Sequence, residues 1–119
     1  MLGGSAVLTL GFIVGASASE VHSVAVETNG STVELCVNPD TTTRYSVGTF
    51  TYGSEDTGSG DPLTAIRVFS PKVDANSLTE AEPLLFDERT PDGLVKRRYM
   101  LDQLPKGGWV VAQIWEGSC

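Results

Sequence analysis

Residues 21 to 37 read VHSVAVETNGSTVELCV, and they commit this end of the chain to strand. Val24 and Val26 lead into Thr28-Asn29-Gly30-Ser31, and Val33, Leu35 and Val37 lead out of it. An Asn-Gly pair between two alternating apolar runs is the strongest short hairpin signal, because a type I′ turn needs positive φ at both central residues. Strands are therefore expected over residues 21 to 28 and 31 to 38.

The rest of the chain continues in short runs separated by turn chemistry. Pro39-Asp40 stops the second strand, and residues 44 to 52 (RYSVGTFTY) alternate as a third, with a bulge expected at Gly48. Residues 53 to 62 (GSEDTGSGDP) carry three glycines, three acids and nothing apolar, and read as loop. Residues 63 to 69 (LTAIRVF) resume a strand pattern. A helical turn is credible only near 74 to 82, where Glu80 follows Ser77 as a capping box would have it. Residues 84 to 86 and 94 to 101 flank Thr90-Pro91-Asp92-Gly93, a turn in which Pro presets φ and Gly takes the left-handed position. Its arms set Asp87-Glu88 against Lys96-Arg97-Arg98, an exposed salt-bridged face or a basic docking patch. Residues 109 to 115 (WVVAQIW) form the last strand.

About seven strands at hairpin spacing, with no βαβ periodicity, predict an all-β chain built as an antiparallel β-sandwich with at most one short helix near 74 to 82. Residues 99 to 111 (YMLDQLPKGGWVV) resemble the strand, Leu-Pro turn and aromatic strand near the end of many immunoglobulin-like and transthyretin-like extracellular domains. The resemblance covers about a tenth of the chain and implies an immunoglobulin-like sandwich, but no activity. Only Glu116-Gly117-Ser118-Cys119 follow the last strand, so either the topology differs from that family or one edge is open.

Residues 1 to 18 contain no charge, and residues 6 to 14 (AVLTLGFIV) are apolar apart from Thr9 and Gly11. That run falls short of the roughly 20 apolar residues that a stable membrane span needs. Ala16-Ser17-Ala18 offers small residues where signal peptidase reads, so residues 1 to 18 are expected to be a signal peptide and 19 to 119 a single domain. No Lys or Arg precedes the apolar run. The competing reading is a retained assembly segment, in which Ala6, Leu8, Leu10, Phe12 and Val14 share one face at period two and pair with a neighbour's sheet edge.

The chain is 119 residues long, 40% hydrophobic, with a formal net charge of -7. Eight Lys and Arg against fifteen Asp and Glu exclude a phosphate-backbone reader, so nucleic acid is not an expected partner. One histidine, His22, leaves neither a zinc set nor a Ser-His-Asp triad within reach, and no cofactor is expected. Cys36 and Cys119 are the only cysteines, and export would pair them across 83 residues. Asn29-Gly30-Ser31 is an N-glycosylation sequon as well as a turn. The acids of 55 to 61 lack the spacing of an EF-hand and read as a solvated loop rather than a calcium site. Asp87 and Glu88, adjacent on a strand, face opposite sides and cannot flank one bond. Trp109 and Trp115 are an even number apart, so an unbroken strand points both indoles the same way, into a core or onto a binding surface.

These features predict a non-enzymatic, secreted or cell-surface β-sandwich acting as a protein-interaction module. The alternatives are a structural subunit of a filament, pilus or surface array that self-associates through residues 6 to 14, and a small secreted inhibitor or effector working through a loop such as 53 to 62.

Overall fold

The computed structural model describes residues 22 to 119. The Asn-Gly hairpin forms as its sequence requires: β1 (Ser23–Thr28) pairs with β2 (Ser31–Cys36) in an unbroken antiparallel register, with Asn29 at φ 50° and Gly30 at φ 95°. β3 is Tyr45–Thr49, α1 Pro62–Phe69, β4 Leu78–Glu82, β5 Leu85–Arg89, β6 Val95–Gln103 and β7 Trp109–Gly117. The seven strands found among the described residues belong to one curled sheet, and β6 is its hub. One edge of β6 is taken by β5, and the other by β7 and, at Val95, by a parallel bridge from Leu35 of β2. An all-β chain is what the pattern predicted. The sheet is mixed rather than wholly antiparallel, because β2 meets β6 only after a long excursion in sequence and arrives in the same direction.

Among the described residues the one α-helix is not near 74 to 82 but at Pro62–Phe69, where a strand was expected. The cause is its start signal. Asp61 caps the helix, its carboxylate accepting from the Thr64 N–H at 2.8 Å and from the Thr64 hydroxyl at 3.0 Å, and Pro62 fills the first turn, where no N–H is needed. These hydrogen bonds hold the Asp61 carboxyl below its usual range. Residues 74 to 82 instead give a single 3-10 turn, Ala75–Ser77, capped by Asp74, and then β4. Gly48 is not a bulge: β3 runs against β7 without a register shift. The irregularities lie in β4 against β5, β5 against β6, and β6 against β7.

The last of these divides the core. Met100 pairs with Gln113 but Leu101 pairs with Val111, so Ala112 is an extra residue and the side chains of β7 change sides across it. Trp115 joins Val26, Val33, Leu35, Leu85 and Val95 under the β1–β2 hairpin. Trp109 packs on the other side, with Ala65, Ile66, Val73, Tyr99, Leu101 and Val111 beneath α1. The two indoles therefore serve different cores, against the expectation for an unbroken strand. The central sheet carries the hairpin on one face and the helix on the other.

Candidate interaction surface

Each face of the sheet holds one ionic network, built from the two adjacent pairs of the β5–β6 ladder. On the hairpin side Arg98, 4% exposed, meets Asp87, 1% exposed. The fork is bidentate, Nε to Oδ1 at 2.6 Å and Nη2 to Oδ2 at 2.9 Å. The remaining guanidinium nitrogen, Nη1, donates to the hydroxyls of Thr28 and Ser31, each at 2.8 Å. The tip of the hairpin is thus clamped onto the sheet by its own turn residues. This pair is buried, whereas the charge pattern predicted an exposed face.

On the helix side Arg97 donates to Glu88 at 3.1 Å and to Glu116 at 3.0 Å. Tyr99, fully buried, shares its hydroxyl with Ser70 Oγ and Glu88 Oε1, both at 2.7 Å. Burial pushes the phenol well above the ordinary tyrosine range; the Ser70 contact works the other way, and the Glu88 carboxylate reinforces the rise. Phe69, Ser70, Lys72, Val73, Lys96 and Arg97 line a groove of about 410 Å³ above this network. Asp87 and Glu88 do face opposite sides, as adjacent strand residues must.

The loop at 53 to 62 is tied down. Ser59 and Trp109 exchange backbone hydrogen bonds at 2.8 Å in both directions, and Gly58 donates to the Gly107 carbonyl at 3.0 Å. This approach requires glycine, because a Cβ on Gly58 would stand 2.5 Å from the Trp109 backbone. A second cleft, about 240 Å³, opens beside it between Tyr52, Val68, Phe69 and Trp109. The Tyr52 hydroxyl donates to the Val111 carbonyl at 2.7 Å, and its pKa is raised by burial and by Asp56.

Cys36 and Cys119 form a disulfide, with Cα atoms 5.4 Å apart. The bond closes a junction already made by backbone: Ser118 N donates to the Cys36 carbonyl at 3.1 Å, and Asn38 N to Ser118 Oγ at 3.0 Å. Asn29 is exposed at the hairpin tip, its amide donating to the Met100 sulfur at 3.1 Å, and Ser31 of the same sequon is occupied by Arg98. Ala6, Leu8, Leu10, Phe12 and Val14 lie outside the described residues. His22 is exposed, and its carbonyl accepts from Val37 N at 2.8 Å. Among the described residues no cluster of His, Cys, Asp and Glu is placed to hold a metal ion, and no helix is long and apolar enough to cross a membrane.

β3 is the outermost strand beside β7 and pairs with no other strand among the described residues. Tyr45 and Val47, 40% and 48% exposed, share the hairpin face with buried Trp115, beyond the cover that the hairpin supplies. The strand itself was legible in the sequence; its open edge was not, because edge position is a property of topology. No family model, curated protein or solved structure matches this chain.

Proposed function

We propose that the chain is an exported, non-enzymatic β-module that acts by protein contact, in the extracellular space or at the cell surface. The observation that carries this reading is the uncovered apolar strip of β3, Tyr45 and Val47, on a sheet stapled by Cys36–Cys119. A disulfide persists in oxidising compartments and suits such a location. The polar residues best placed for chemistry, Arg98, Asp87 and Tyr99, are buried and spend their hydrogen bonds on one another and on the hairpin and helix, which is structural work. Kinship with immunoglobulin-like surface domains is part of this proposal and rests on residues 99 to 111. Expression of the whole sequence in a secretion-competent host tests it. Disulfide-bonded protein in the medium or on the cell surface, with a mass starting at Ser19, is expected; reduced protein retained inside the cell overturns the reading.

The filament-subunit reading has one observation of its own. Ala6, Leu8, Leu10, Phe12 and Val14 alternate as an edge-pairing strand does, and β3 offers an edge. Electron microscopy of native material separates the two: filaments containing chains that begin at Met1 favour assembly, and monodisperse particles of chains beginning at Ser19 exclude it.

A further inference from the structure

The two outer strands of the run β3, β7, β6, β5, β4 carry opposite chemistry. β4 (LTEAE) bears Glu80 and Glu82, breaks register between them, and is followed by Pro83. Charge, bulge and proline are the devices by which sheets prevent edge-to-edge pairing. β3 (YSVGT) has none of them: it is uncharged, keeps its register, and leaves Tyr45 and Val47 exposed.

Resting on the protein-contact reading above, we propose that β3 pairs antiparallel with β3 of a second copy, about a two-fold axis through Val47. The ladder fixes which groups are available. Phe50 N donates to the Ala112 carbonyl at 2.9 Å, so in antiparallel alternation Ser46, Gly48 and Phe50 turn their backbone groups toward β7. Tyr45, Val47 and Thr49 turn theirs outward. A two-fold at Val47, the middle of these three, sets Val47 against Val47 and Tyr45 against Thr49, so every outward N–H and C=O finds a partner at once. Interfaces of this isologous kind need a self-complementary patch, and the strand is its own complement.

Electrostatics favour the same place for the contact. With a net charge of -7, two copies repel over most of their surface, and a neutral strand is where they meet at least cost. The register also brings exposed Arg44 of each copy alongside Phe50 of the other, three residues before the acidic loop that begins at Gly53 and carries Glu55 and Asp56. A five-residue pairing is at the small end of specific interfaces, so a reversible dimer with a dissociation constant of about 0.1 mM is expected.

Sedimentation velocity and light scattering of the full chain, over about 10 µM to 1 mM, read this directly. The expected result is a monomer–dimer equilibrium that stops at the dimer. Val47→Pro removes an outward donor and leaves the β7 ladder intact, and Val47→Lys opposes two cations across the axis. Each should weaken the dimer at least ~10-fold, while Glu82→Lys on β4 leaves it unchanged. Should Val47→Pro lower stability by circular dichroism, Val47→Lys carries the comparison. A monomer at 1 mM, association that survives both Val47 substitutions, loss of the dimer in Glu82→Lys alone, or growth into open polymers each overturns the proposal. These outcomes are separate from the export test: an exported monomer removes the dimer and leaves the surface reading standing, and a dimer retained in the cell does the reverse.

Discussion

Arg97 and Arg98 are neighbours on β6, each facing a carboxylate on β5, yet they live in different media. Arg98 and Asp87 are sealed beneath the β1–β2 hairpin, with all three guanidinium nitrogens satisfied inside the protein. Arg97 and Glu88 sit at the mouth of a groove, 23% and 12% exposed, and Arg97 also reaches Glu116, 42% exposed. Both pairs are directly opposed on consecutive rungs of one ladder. What separates them is the layer laid over each face: a hairpin that excludes water, or a helix edge that admits it. The same chemistry is therefore expected to give very different energies.

The largest effect should come from breaking the sealed pair. Asp87→Ala leaves a buried guanidinium with only two hydroxyl partners and is expected to cost about 3–5 kcal/mol, read as a fall in the urea midpoint. Arg98→Met should cost a similar amount by leaving buried Asp87 with only the more distant guanidinium of Arg89, 3.9 Å away, and the double variant Asp87→Leu/Arg98→Met should be more stable than either single one, because the apolar pair leaves no buried charge uncompensated. Tyr99→Phe removes one hydroxyl shared between Ser70 and Glu88 and should cost about 1 kcal/mol. It should also change the alkaline limb. Since burial raises the Tyr99 pKa in the folded state, its contribution is fully present below the ordinary tyrosine value of about 10 and is lost as pH rises above it. Thermal denaturation between about pH 9 and 11 should fall more gently in Tyr99→Phe than in the parent. The smallest effect belongs to Arg97→Met, below about 1 kcal/mol and vanishing in 1 M salt. An Arg97→Met cost equal to that of Asp87→Ala would abolish the distinction between the faces.

Local chemistry was readable and layering was not. The Asn29-Gly30 turn and the Thr90-Pro91-Asp92-Gly93 turn follow from φ requirements that their residues alone satisfy, and both formed. The α1 segment misled because LTAIRVF suits either period, while the stronger evidence, Asp61 before Pro62, lay in the two residues just ahead of the apolar run. That signal was present in the sequence. The bulge at Ala112 was not, since register against β6 is a property of the pairing rather than of the strand's own residues, and it sends Trp109 and Trp115 to different cores. Opposite facing of Asp87 and Glu88 was legible from strand geometry, but the burial of Asp87 depends on where the hairpin folds back. The disulfide was expected from cysteine count and compartment, and its reach from the second strand to the C-terminus just past the last strand was legible as well.

That bridge has a mechanical consequence. Tension applied between His22 and Cys119 would travel through β1 and β2 and then cross the covalent link at Cys36, bypassing the whole of 37 to 118. Ser23 and Cys36 stand opposite each other at one end of the hairpin, so the load would open β1–β2 from that end, rung by rung, rather than shear it. The hairpin is the part that would yield, with its tip held longest by Arg98, and the strand offered to a second copy would stay unstressed.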